Sequence, residues 1–275
     1  MSLARPVLPG GARLPEGCTL VMGILNVTPD SFSDGGRWDG VDAALARARE
    51  MVAQGADLVD IGGESTRPGS TRIDADEEWA RIGEVVRVLS AEGIVCSVDT
   101  LHASTARRAA RAGAAIINDV SGGRWDPEMN RAVAEIGCAY IVQHYRALPG
   151  MPGESFDYGD DLLGALTARL EAQVGEALAA GVAPEAIVVD PGLGFSLTNE
   201  QCEEILRNLR ALAALGYPVL IGASRKRFVA ARGGDRDERT AEITAQCAAE
   251  GMWAVRVHEI ARNARAARGG SGDRA

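Results

Sequence analysis

Eight short runs rich in valine, isoleucine and leucine alternate with longer alanine-rich segments along this chain. The runs lie at 20–26, 58–61, 94–99, 115–119, 139–144, 186–190, 218–222 and 254–258. The segments between them, at 41–54, 76–91, 104–112, 127–136, 161–180, 200–215 and 237–250, have the spacing of amphipathic helices. Strands that alternate with helices indicate βαβ units and a parallel sheet. Eight such strands favour a closed (β/α)8 barrel, the TIM barrel, over an open doubly wound sheet.

The residues at the ends of the predicted helices support the same fold. Several predicted helices end at a glycine that fits the left-handed position after a helix: Gly55, Gly93, Gly113, Gly137, Gly181 and Gly216. Candidate N-caps are Asp76, Asp126, and either Thr198 or Asn199. The segment after His258 predicts only a weak last helix, because it lacks large apolar residues.

The chain has 275 residues, of which 46% are hydrophobic, and no linker or change of composition divides it. That is enough for one large core. We therefore expect a single domain: an N-terminal extension at 1–19, a barrel at 20–262 and a disordered tail at 263–275.

Charge and composition exclude several classes of protein. The net charge is −9, and no basic stripe precedes the last fifteen residues, which argues against a nucleic-acid partner. No apolar run approaches the roughly 20 residues of a membrane span, and the N-terminus has no signal-peptide core. Five cysteines without CxxC spacing indicate reduced packing thiols. We expect a cytoplasmic protein.

Polar side chains collect where the predicted strands end. They are Asn26, Asp60, Asp99, Asn118, Asp119, His144, Asp190, Arg256 and His258. In a (β/α)8 barrel the carboxyl ends of the strands form one face, and that face carries the active site. A single aspartate of this kind is often only a helix cap, but seven of eight strands ending this way predict a site.

Lys226 is the only lysine among 29 basic residues, and it follows the seventh run in a loop with Ser224. A lysine at this one position is either a chance occurrence or reflects a requirement for a compact ammonium on a flexible side chain, which arginine cannot provide. Two further loops, at 26–36 and 62–69, are rich in Gly, Ser, Asp or Thr. They predict either mobile segments that close over a substrate or ordinary flexible turns.

Segment 23–36 (GILNVTPDSFSDGG) resembles the first signature of the dihydropteroate synthases, and 60–69 (DIGGESTRPG) resembles the second. Matching landmarks follow in order at 97–100 (SVDT), 118–119 (ND), 190–195 (DPGLGF), 224–226 (SRK) and 256–258 (RVH). The similarity covers about 20–260. It implies a transferase of folate synthesis that joins a pterin pyrophosphate to 4-aminobenzoate, with Mg²⁺ as cofactor. It also implies a homodimer that packs through helices late in the chain.

The resemblance assigns roles by position. Asp99, Asn118, Asp190 and Lys226 would bind the pterin, whose edge of N–H donors suits carboxylate and amide oxygens. Thr66, Arg256 and His258 would bind the pyrophosphate, and Asn26 would contact Mg²⁺, which takes phosphate oxygens and few protein ligands. His144 could ligate a metal, but with one histidine there a positioning role is preferred.

The remaining positions concern aminobenzoate and the chemistry. Phe32, Pro68, Phe195 and Ser224 would contact the aminobenzoate, and the loops that carry Asp34 and Arg67 would close around it and the pyrophosphate. We expect Asp99, Lys226, Asp34 and Arg67 to be catalytic, with a dissociative, SN1-like path in which Asp99 stabilises a cationic pterin.

The chain departs from the family pattern at two positions of the site. Leu197 stands where a lysine is usual, so that cation is absent from the rim. Gln143 stands where methionine is usual, and its amide must find partners or weaken binding. Two alternatives remain: a pterin-dependent methyltransferase, which has no pyrophosphate to bind, and a non-catalytic paralogue, which should lose loop or strand-end residues.

Overall fold

The computed structural model describes residues 5–28, 37–65 and 70–269, and in these ranges eight parallel strands form one barrel. The strands are β1 (Leu20–Asn26), β2 (Leu58–Gly62), β3 (Cys96–Asp99), β4 (Ile116–Asp119), β5 (Ala139–Gln143), β6 (Ile187–Asp190), β7 (Leu220–Ile221) and β8 (Ala254–Val257). Their spatial order is β6-β5-β4-β3-β2-β1-β8-β7. A parallel bridge between Val189 and Val219 joins β6 to β7. The predicted (β/α)8 barrel is confirmed.

Helices on the outside connect the strands. They are α1 (Arg37–Ala53), α2 (Ala75–Ala91), α3 (Ala103–Arg111), α4 (Met129–Ile136), α5 (Leu162–Ala179), α6 (Asn199–Arg207), α7 (Leu209–Ala213), α8 (Arg227–Ala231), α9 (Arg236–Ala249) and α10 (Ala261–Ala267). The single helix predicted at 200–215 is broken at Asn208. Its side-chain Nδ2 donates to the Glu204 carbonyl at 2.8 Å, a local bond that competes with helical backbone pairing.

The predicted helix starts are partly right. Thr198 caps α6 in a full capping box with Gln201. The cap of α2 is Asp74, not Asp76, because the Asp74 carboxylate accepts from the Glu77 N–H at 2.8 Å. Asp126 is not the N-cap of α4, which begins at Met129. One oxygen of its carboxylate accepts from the Glu128 N–H at 3.0 Å in the turn before the helix, and the other accepts from the Ala103 N–H at 2.8 Å at the start of α3.

The predicted helix ends are confirmed. All six glycines named above have positive φ, and Gly137, at 66°, directly follows α4 in the left-handed conformation. Most side chains cannot adopt this conformation without strain.

The core has two layers. One lies between the strands and the helices; the other fills the barrel interior with residues such as Met22, Leu58 and Trp253. Leu8 and Leu14, from the predicted N-terminal extension, pack against this interior layer, and the Val7 N–H donates to the Glu185 carbonyl at 2.8 Å. Residues 5–19 therefore cover the amino-terminal end of the barrel, which leaves the carboxyl ends of the strands open.

The last helix, α10, lacks large apolar residues and is anchored by a buried polar side chain. Asn263 in α10 is fully buried, accepts from the Thr244 hydroxyl at 2.6 Å and donates to the Glu259 carbonyl at 2.7 Å. The buried alanines Ala264 and Ala267 belong to the core layer between the strands and the helices. Because α10 runs to Ala267, the tail boundary predicted at residue 263 falls inside a helix.

The cysteines pack as expected: all five are free thiols, and four of them are buried. None of the described helices has the length and apolar character needed to cross a bilayer.

Candidate active site

A cavity of about 400 Å³ opens at the carboxyl ends of the strands. It is lined by nine of the fourteen residues to which the resemblance assigns a binding or catalytic role: Asn26, Asp99, Asn118, Asp190, Phe195, Ser224, Lys226, Arg256 and His258. The other five, Phe32, Asp34, Thr66, Arg67 and Pro68, lie outside the described residues. The structure therefore brings all nine described members of this set to one rim, and the cavity has the size of a small-molecule site. The strand-end residues Asp60, Asp119 and His144 do not line it.

Strand register explains the convergence. Gly62 pairs with Asp99, and Asp99 pairs with Asn118, so three adjacent strands end at the same level. On the other side of the barrel Gln143 pairs with Asp190. Parallel pairing thus places side chains that lie far apart in sequence side by side at the mouth.

Arg256 forms an ion pair with two carboxylates at the base of the cavity. Its Nε lies 2.5 Å from Asp60 Oδ2, and its Nη2 lies 2.7 Å from Asp99 Oδ2. Burial raises the pKa of Asp99 to about 7; Arg256 opposes this shift, while the Asp60 charge adds to it. Asp99 is therefore a weaker acid than a solvent-exposed aspartate, and its charged form depends on the ion pair with Arg256.

Asp190 and Lys226 form the second charged group of the site. Asp190 accepts from the Gly192 N–H at 2.7 Å, and burial raises its pKa to about 6. Burial lowers the pKa of Lys226 to about 8, although the Asp190 charge favours the ammonium. Lys226 Nζ also lies 3.9 Å from the centre of the Phe195 ring, a cation–π contact. The Lys226 amine thus contacts an aromatic face and is under the electrostatic influence of the Asp190 carboxylate.

Ser224 and His258 are directly hydrogen-bonded. Ser224 Oγ lies 3.0 Å from His258 Nδ1, and the His258 backbone N–H donates to the same Oγ at 3.2 Å. The hydroxyl predicted for the aminobenzoate subsite therefore also supports the histidine predicted for the pyrophosphate subsite.

The positions that depart from the family pattern are accommodated. Gln143 is 5% exposed and donates from Nε2 to the Val120 carbonyl at 3.2 Å, so its buried amide has a partner. Leu197 is buried and lines the cavity with an apolar surface.

His144 follows β5, is fully buried, and does not line the cavity. Its Nε2 lies 3.3 Å from the Tyr158 hydroxyl, which donates to the Ser196 carbonyl at 3.1 Å. Burial lowers the pKa of His144 to about 3, so the ring is neutral. These contacts support a positioning role for it beneath the loops after β5 and β6.

Asp60 is the residue whose importance the site assignment missed. It is fully buried, and besides Arg256 it accepts from Asn118 Nδ2 at 3.0 Å. The available signal was an aspartate in the middle of an apolar run, Leu58–Gly62. A buried carboxylate needs partners, so this position had to face other polar groups.

The sequence matches the family described as pterin binding enzymes over residues 22–258. A dihydropteroate synthase of Mycobacterium leprae is 47% identical over 251 residues, 87% of this chain and 88% of that protein. The Bacillus subtilis dihydropteroate synthase is 42% identical over 255 residues, 91% and 87% of the two chains. This chain belongs to the dihydropteroate synthase family. It is therefore an enzyme, a transferase.

A solved structure agrees with this family assignment. The Xanthomonas albilineans dihydropteroate synthase with 4-aminobenzoic acid is 36% identical, has a TM-score of 0.85 and covers 96% of each chain. The prediction of a synthase, rather than a methyltransferase or a non-catalytic paralogue, is confirmed by these relatives.

Asn26, the residue expected to contact Mg²⁺, lines the cavity at the end of β1. Among the described residues, no group of three or more His, Cys, Asp or Glu side chains could hold a metal. Asn26 and Thr28 supply oxygen atoms at the rim of the cavity. This donor set fits Mg²⁺ only in its usual form, with few protein ligands and with phosphate and water oxygens completing the shell.

Proposed function

We propose that this enzyme condenses 6-hydroxymethyl-7,8-dihydropterin pyrophosphate with 4-aminobenzoate, giving 7,8-dihydropteroate and pyrophosphate. The observation that carries the proposal is the convergence of Asp99, Asn118, Asp190 and Lys226 on one cavity. A pterin presents a row of N–H donors beside ring acceptors. Two carboxylates, an amide and an ammonium match both kinds of group.

The pyrophosphate end is assigned to Arg256 and His258, together with Thr66 from the second loop. Arg256 donates from Nε and Nη2 to carboxylates below the cavity. Its guanidinium carries further N–H groups that can meet an anion. Asn26 would hold Mg²⁺ together with phosphate oxygens and water, and the ion would neutralise charge on the leaving pyrophosphate.

The aminobenzoate is assigned to the rim formed by Phe195, Ser224, Phe32 and Pro68. Phe195 offers an aromatic face already in contact with Lys226, and the Ser224 hydroxyl can reach a carboxylate. The Xanthomonas enzyme binds 4-aminobenzoic acid, which agrees with a subsite of this kind.

The reaction follows from this arrangement. The C–O bond to pyrophosphate breaks with its electron pair leaving on oxygen, and the pterin delocalises the positive charge left on the methylene. The Asp99 carboxylate stabilises that charge in a dry environment, where electrostatic effects are strong. The arylamine lone pair then forms the C–N bond, and the nitrogen loses one proton to pyrophosphate or water. Asp34 and Arg67 complete the proposal as loop residues that close over both substrates.

The test uses purified protein with both substrates and Mg²⁺, and measures pyrophosphate release and dihydropteroate formation in equal amounts. Asp190→Asn should raise the KM for the pterin substrate. Asp160→Asn, the same chemical change at an exposed loop position, should leave it unchanged. No release by folded wild-type protein, or an unchanged KM in Asp190→Asn, would overturn the proposal. The homodimer and the cytoplasmic location stay predictions.

A further inference from the structure

Asp60 lies directly beneath the proposed pterin site without lining the cavity. It is in β2, between Ile24 of β1 and Ser97 of β3, and its side chain is 0% exposed. Asn118 and Arg256 line the cavity, whereas Asp60 is hydrogen-bonded to both of them without lining it.

One oxygen of Asp60 makes both contacts. Oδ2 accepts from Arg256 Nε at 2.5 Å and from Asn118 Nδ2 at 3.0 Å. The other oxygen, Oδ1, is buried and has no hydrogen-bond partner within the described part of the chain. An oxygen that accepts two strong hydrogen bonds fixes the direction of both donors.

The contact with Asn118 determines what the cavity presents to a ligand. A side-chain amide has one donor end and one acceptor end. Because Nδ2 of Asn118 is directed down to Asp60, the acceptor Oδ1 is the end left for a ligand. If the amide were reversed, an NH₂ group would face the N–H donors of the ring.

We infer that Asp60 is a positioning residue that turns the acceptor end of Asn118 toward the pterin and holds Arg256 beside Asp99. The inference rests on the proposed function, since it takes the pterin as the ligand of Asn118. Asp60 itself touches no substrate, and its effect is confined to the part of the site that takes the pterin pyrophosphate.

The first experiment separates the two substrates. In Asp60→Ala the Asn118 amide loses the acceptor that Asp60 provides, and both orientations become accessible. The KM for the pterin pyrophosphate should rise about tenfold or more, because a buried donor then opposes the ring. The KM for 4-aminobenzoate should change less than about threefold, since that subsite is untouched. Equal changes in both constants, or a wild-type pterin KM, would overturn the inference.

A swap of the two side chains gives a readout that a purely structural role would not produce. Asn118→Asp alone sets two carboxylates against each other, and Asp60→Asn alone replaces the unpaired buried oxygen with an NH₂ group. In the double variant the amide at position 60 can turn its NH₂ group to the carboxylate at 118, whose other oxygen again faces the cavity. This orientation gives up the contact with Arg256 Nε, and Arg256 keeps Asp99 as its partner. The double variant should therefore bind the pterin more tightly than Asn118→Asp, in which two carboxylates repel each other. Additive or larger losses in folded protein would contradict the inference, and this comparison decides the matter if Asp60→Ala does not fold.

Failure of the proposed function gives a different pattern. If the wild-type protein releases no pyrophosphate, calorimetric binding of 6-hydroxymethylpterin alone still compares the four proteins. Tighter binding by wild type and by the double variant than by Asn118→Asp supports the positioning role. Equal binding by all four proteins would overturn the positioning role of Asp60.

Discussion

Gly194→Ala would place a methyl group against the stem of Lys226. Gly194 has φ +79°, and a β-carbon there would lie 2.9 Å from Lys226 Cδ and 3.6 Å from Cγ. Carbon atoms rest roughly 3.5–4.0 Å apart, so the stem must move by about 0.6 Å or more. This movement displaces the ammonium from the Phe195 ring and from the pterin that it is proposed to bind.

The change has two separable costs. An alanine in the left-handed conformation costs roughly 1–2 kcal/mol of folding stability, and each 1 kcal/mol lowers the Tm of a chain this long by about 2–4 °C. A misplaced charged donor costs about 1.5 kcal/mol or more of ligand binding. That amounts to about a tenfold rise in the pterin KM.

Gly216→Ala is the matched control. Gly216 has φ +80°, and a β-carbon there would meet nothing within 4 Å. It precedes β7 and therefore lies at the end of the barrel opposite the cavity. Both variants should lose similar stability by thermal denaturation, but only Gly194→Ala should raise the pterin KM in a pyrophosphate-release assay. Equal pterin KM values in the two variants would refute the role given to the position of Lys226.

Three further outcomes are expected. The kcat/KM for the pterin substrate should be bell-shaped in pH: Asp190 and Asp99, with pKa about 6 and about 7, must be ionised, and Lys226, with pKa about 8, must be protonated. Rates that stay flat from about pH 5 to 9 would contradict these assignments. Lys226→Arg should lower kcat/KM about tenfold or more with little change in Tm, since a planar guanidinium cannot replace a compact ammonium. A wild-type kcat/KM in this variant would show that the single lysine has no functional requirement. Thr198→Ala should lose about 1 kcal/mol of stability by removing the α6 cap, measured by thermal denaturation, with kcat unchanged.

The architecture could be predicted because its signals are local and repeated. Alternating apolar and amphipathic segments gave the strand and helix order, and glycines with positive φ ended the helices as expected. The boundaries that were wrong depend on single side chains. Asn208 breaks one helix through a bond to Glu204, and Asp126 bonds to Ala103 in another helix instead of capping its own.

The site could be predicted as a set of residues but not as a network. Strand ends must meet at one face of a barrel, so the convergence of Asp99, Asn118 and Asp190 follows from the fold. Arg256 bonds to Asp60 and Asp99, which lie 196 and 157 residues before it in the chain. These bonds depend on the side-chain rotamers that the three residues adopt. No pattern in a single sequence encodes such a pairing.

Residues 5–19 affect a site that they never touch. By packing Leu8 and Leu14 against the interior layer, they keep solvent away from the amino-terminal end of the barrel. The carboxylates at the opposite end of the barrel therefore lie above packed apolar side chains. The N-terminal segment thus closes the packed column on which the site stands, and a polar substitution such as Leu14→Asp should lower the Tm although no residue of the site is changed.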